Sequence, residues 1–147
     1  MTRLTSNFTL EELIRSTIAE QLGIDNTPGR TEVRNLKNLA VLYLQPLRER
    51  FGPIHINSGY RCKDLNKAVK GVDGSWHTRG SAADIKVSSL LIAAQMISFL
   101  QERFVKEGVG YDEICLSYRR KTGNIWLHVA FNPLDYENRM KTKLMVY

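Results

Sequence analysis

Four short runs carry strand character, and none is long enough to build a large sheet: PIHINS at 53–58, AADIKV at 82–87, DEICLSY at 112–118 and NIWLHVAF at 124–131. Longer helical patterns separate them, except for the last two. A short glycine-containing loop joins that pair, which predicts an antiparallel hairpin. Few strands and several helices restrict the chain to the α+β class, a small antiparallel sheet covered by helices. A length of 147 residues suits one domain spanning residues 1–147, with enough chain to bury a core.

The helical patterns are delimited by their own stop and start signals. Thr9 followed three residues later by Glu12 reads as a capping box, and Leu10, Leu13, Ile14, Ile18 and Leu22 recur at helical spacing until Gly23. One short amphipathic helix is expected there. After the turn cluster DNTPGR, a second pattern runs from about Thr31 towards Phe51 and Gly52, with a kink expected near Pro46. The third, LLIAAQMISFLQERF at 90–104, has Ser88 and Ser89 as candidate caps and closes at Gly108.

Composition excludes several classes. No window approaches the roughly 18 apolar residues of a membrane span, and MTRLTSNFTLEEL lacks the apolar centre of a secretory signal. The expectation is a protein that is cytoplasmic as synthesised, not inserted in a membrane, and monomeric. Cys62 and Cys115 are far apart and without metal-type spacing, which fits a reducing compartment while leaving a single disulfide open. The net charge of +6 is scattered. Its densest run, YRRKTG at 118–123, falls in the predicted hairpin loop. A nucleic-acid binder needs a contiguous basic stripe interleaved with exposed aromatics, and none is found, so no nucleic-acid partner is expected.

The stretch SGYRCKDLNKAVKGVDGSWHTRGSAADI, residues 58–85, is different in kind: polar, rich in glycine, and without a long hydrophobic run. It contains His77 in a loop and Asp84 on the following strand, while His128 lies in the last strand pattern. A sheet can bring the three together. Two imidazoles and a carboxylate are a three-ligand set that leaves a fourth position open, the pattern of catalytic zinc. From spacing alone, the commoner alternative is a histidine packed in a strand and an aspartate capping a turn.

NSGYRCKDLNKAV, SWHTRGSAADI and WLHVAF, in that order, resemble the M15 peptidases, the zinc D-Ala-D-Ala carboxypeptidases and dipeptidases together with phage endolysins. The matching residues are Ser58, Gly59, Tyr60, Arg61, Leu65, Asn66, Ser75, His77, Gly80, Ala83, Asp84 and His128. The resemblance implies a hedgehog/D-Ala-D-Ala peptidase-like fold with the zinc site on the sheet, Zn2+ held by His77, Asp84 and His128, and peptidoglycan stem peptides as substrate. It also implies that Arg61 binds substrate and stabilises the oxyanion, a task suited to a planar, bidentate guanidinium. Ser58 and Ser75 are candidate substrate-binding residues. Gly71, Gly74 and Gly80 are expected to let the loop bend so that His77 meets Asp84.

The proton carrier departs from the pattern. Many M15 members place an acid three residues before the final histidine, others a histidine two before; here those positions are Ile125 and Trp126, and neither moves a proton. Asp112 and Glu113 are the nearest substitutes. Successive strand residues face opposite sides, so one of the two can look into a cleft; Asp112, which matches an acidic position of the small phage-type members, is the expected proton carrier, with Glu113 taking the role if the strand faces the other way. The reading is a zinc peptidase acting on the wall after lysis or export, with a zinc module that binds wall peptide or polymer as the alternative.

Overall fold

A computed structural model describes residues 1–134 and 137–147. The helices are α1 (Leu10–Ile14), α2 (Thr17–Leu22), α3 (Arg30–Leu39), α4 (Gln45–Phe51), α5 (Lys63–Ala68) and α6 (Leu90–Glu107); the strands are β1 (His55–Ser58), β2 (Ala82–Val87), β3 (Glu113–Tyr118), β4 (Ile125–Ala130) and β5 (Lys141–Val146). The class is α+β, as the sequence implied. The sheet runs in the order β1-β2-β4-β3-β5, with antiparallel neighbours up to β3 and a parallel pairing of β3 with β5. The sheet is therefore mixed rather than wholly antiparallel, because KTKLMV adds an edge strand that the sequence patterns did not reveal.

The expected first helix is two. Arg15 and Ser16 are extended, and Ser16 caps α2 by accepting from the Ala19 N–H at 3.2 Å. Carbonyls at the end of α1 find donors elsewhere: Leu13 O accepts from the Tyr60 N–H at 2.8 Å and Ile14 O from Asn26 Nδ2 at 2.8 Å. Thr9 caps α1 through the Glu12 N–H. The second pattern is also interrupted, by a wide π turn at Ala40–Leu44 between α3 and α4. Pro46 has no N–H to give the carbonyl four residues before it, and Arg103 Nη1 donates to that Leu42 oxygen instead. Ser89 and Gly108 cap α6.

Strand alternation divides the sheet. Ala83, Ile85, Ile114, Leu127 and Val129 are fully buried in one core with Leu36, Leu39, Leu44 and Leu47. The opposite parity puts Asp84, Lys86, Trp126, His128, Glu113, Cys115 and Ser117 on the other face. Against β2 lies a short 3-10 turn, Trp76–Arg79, which also touches α5 and which Gly80 closes at φ 72°. A Cβ at Gly80 would sit 2.6 Å from Glu32 O, so the turn is seated directly on α3. Cys62 and Cys115 are both free thiols, and no helix among the described residues is long and apolar enough to cross a membrane.

Candidate metal centre

The loop holding His77 is fixed at several points. Ser75 caps the 3-10 turn by accepting from the His77 N–H at 3.3 Å, and the Arg61 N–H donates to His77 O at 3.0 Å. His77 Nδ1 lies 2.7 Å from Gly59 O, a carbonyl that can only accept, so the proton sits on Nδ1 and Nε2 is bare. That Nε2 is buried and has no hydrogen-bond partner. It points at Asp84 Oδ1, 3.3 Å away.

Asp84 and His128 face each other across β2 and β4. His128 Nδ1 is 2.9 Å from Asp84 Oδ1, and the two imidazole centroids are 5.2 Å apart. One ligand atom from each of His77, Asp84 and His128 lies within 4.8 Å of the others. Burial alone would push the Asp84 carboxyl up; the two imidazoles beside it, His77 and the hydrogen-bonding His128, outweigh it and hold the carboxyl well below the usual carboxylate range. A buried acceptor nitrogen without a donor is costly, and a divalent ion on this N, N, O set would satisfy it. The three residues fit zinc.

Three recesses meet here, and Arg61 and Asp84 line all of them. Arg61 Nε is buried without a hydrogen-bond partner, and burial lowers the guanidinium pKa against the pull of Asp84. The backbone beside it is clamped by Asn26, which accepts from the Cys62 N–H at 2.7 Å and donates to Tyr60 O at 3.1 Å. Nothing in the turn cluster DNTPGR marked Asn26 as more than a turn former. Ser58 lines a recess of about 330 Å³ and Ser75 one of about 450 Å³.

The adjacent acids separate sharply. Asp112 is only 1% exposed and both its oxygens are used: Oδ2 accepts from Trp76 Nε1 at 2.8 Å and Arg139 Nη2 at 2.9 Å, and Oδ1 from Arg139 N at 3.2 Å and Nε at 3.1 Å. It does not line the recess that contains His77 and His128. Glu113 does, with Oε1 4.0 Å from His128 Nε2 and Oε2 3.1 Å from Lys143 Nζ. The carboxylate facing the cluster is Glu113. Arg139 and Lys143, which the sequence did not single out, belong to the same wall.

Fold and cluster together define a class: an α+β protein whose open sheet face carries a histidine–aspartate–histidine group able to hold a metal ion. The chain belongs to the peptidase M15 family, whose sequence pattern matches residues 6–116, and it is a peptidase by that membership. No curated protein matches it. The matched span includes Arg61, His77 and Asp84 but ends before β4, so it does not reach His128.

Proposed function

We propose that the protein is a zinc metallopeptidase that hydrolyses peptide bonds in peptidoglycan stem peptides, as a carboxypeptidase or endopeptidase acting at the cell wall. The observation that carries this reading is the buried, unpartnered Nε2 of His77, held by its Nδ1 contact to Gly59 O and aimed at the carboxylate shared with His128. His77, Asp84 and His128 would hold the ion. When bound, zinc polarises a substrate carbonyl and lowers the pKa of a water.

The chain's own groups supply the rest. Arg61, at the junction of the recesses, binds a substrate carboxylate or carbonyl oxygen through parallel N–H donors. Glu113 takes the proton-transfer role, since it faces the cluster while Asp112 spends both oxygens on Trp76 and Arg139. Ser58 and Ser75 frame the approach, and Ser75 also holds the His77 turn. Metal analysis of the purified chain should find near-stoichiometric zinc that His77→Ala and His128→Ala each lose, and mass analysis should find products from stem peptides. Zinc retained by both variants would remove the metal assignment. Zinc with stem-peptide binding but no product from any chemotype or from whole sacculi would leave a wall-binding module instead.

A further inference from the structure

Beside the metal cluster, and sharing Arg61, Lys70, Gly71, Asp84, Trp126 and Tyr147 with the recess already described, lies the largest of the three recesses, about 780 Å³. Its charge is one-sided. Lys70, Lys86 and Arg119 line it along with Arg61, and among the described residues its only acidic side chain is Asp84. Among the described residues, none of Lys70, Lys86 and Arg119 makes an ion pair; the acids that pair do so with other cations or with the histidines.

The cations are also placed, not merely exposed. Lys86 stands directly opposite Trp126 across β2 and β4, on the face that carries Asp84 and His128. The Arg119 guanidinium lies 5.5 Å from the Trp126 ring centre, and Trp126 stacks on Tyr147 at 5.6 Å with 19° between ring planes. Contact with an aromatic face positions a guanidinium while leaving its N–H edge free for an anion. Lys70 holds a left-handed backbone at φ 58° just after α5, where glycine is the usual occupant, so a side chain is kept there at a conformational cost.

We propose that this recess is a subsite for acidic peptide: it receives the free α-carboxylate of the stem-peptide glutamate, on the part of the peptide running away from the bond held over the cluster. The inference rests on the peptidase reading above for its choice of peptide, but its test does not depend on turnover. Dye-labelled stem pentapeptides, one with the glutamate α-carboxylate free and one with it amidated, are titrated against the zinc-loaded chain by anisotropy. The same samples are weighed for cleavage products.

The free-carboxylate peptide should bind roughly tenfold more tightly at low salt, with Lys86→Gln and Arg119→Gln each removing about three- to fivefold and the pair removing the discrimination. Added salt should shrink it as well. Equal affinity for the two peptides, no binding of either, or a preference that survives both substitutions would overturn the subsite. So would a phosphate-bearing polyol oligomer that outcompetes the acidic peptide. Cleavage of both peptides at equal affinity would leave the peptidase reading intact and remove only the subsite. Charge-selective binding without products would do the reverse.

Discussion

Asp112 and Glu113 are chain neighbours of the same chemistry, and the fold gives them opposite tasks. Alternation along a strand guarantees that their side chains diverge, but which one meets the cluster depends on how β3 aligns with β4, and that pairing puts Cys115 opposite His128. Glu113 shares the parity of Cys115 and faces the imidazoles; Asp112 turns towards Trp76 and Arg139. This register was not legible, because the hairpin loop could have closed with either parity. General acid–base assistance is worth about 10² to 10⁴ in rate, so Glu113→Gln should lower kcat at least tenfold while zinc content and melting temperature stay near wild type. Steady-state kinetics with metal analysis on the same preparation decide it, and wild-type turnover in Glu113→Gln would exclude this carboxylate as proton carrier.

At the scale of elements, Gly80 shows how a loop histidine is delivered to a strand. Its φ of 72° and the 2.6 Å approach of a hypothetical Cβ to Glu32 O lock the 3-10 turn onto α3, two residues from the start of β2. Gly108 has the same φ of 72° at the end of α6 but open space around it. Alanine at either position meets the left-handed penalty of about 1–2 kcal/mol. Only at Gly80 must backbone also move. Gly80→Ala should therefore lose more stability than Gly108→Ala in urea titrations and should weaken zinc binding as well, whereas Gly108→Ala should leave zinc affinity unchanged; equal zinc affinity in the two variants would mean that the turn tolerates displacement.

The elements that sequence patterns located well, β2, the β3–β4 hairpin and α6, are those with a buried face or strong caps. β5 has neither: Leu144, Met145 and Val146 are 64%, 41% and 45% exposed, and the strand is recruited by backbone pairing to β3, which leaves no periodic trace. The break between α1 and α2 was hidden for the converse reason. Leu10, Leu13, Ile14 and Ile18 keep helical spacing across it, while its cause is distant, in Tyr60 and Asn26. Of the cluster, His77, Asp84 and His128 were legible as ligand types in order, and Arg61 by its motif; the contributions of Arg139, Lys143 and Asn26 depend on contacts between remote segments.

For the whole molecule, Asp112 is where three remote parts of the chain are joined. Its carboxylate holds Trp76, the first residue of the His77 turn, and Arg139 in the segment leading to β5, while its backbone donates to Ala130 O and accepts from Lys141 N. Burial works against the charged form, but the hydrogen bonds from Arg139 and Trp76 prevail and lower its pKa. A carboxyl depressed on folding contributes stability that is fully present above its unfolded pKa of about 3.9 and is lost as pH falls towards and through the lower folded value. At pH 7, Asp112→Asn should cost about 1–2 kcal/mol, towards the low end for charged hydrogen bonds because the Arg139 side chain is 58% exposed. The gap between wild type and variant in urea unfolding should hold from pH 7 to about 5 and narrow below about pH 4 as the wild type gives up its ionic contacts. A gap that stays constant down to pH 3 would mean that shape and packing, rather than the charge on Asp112, hold the three segments together.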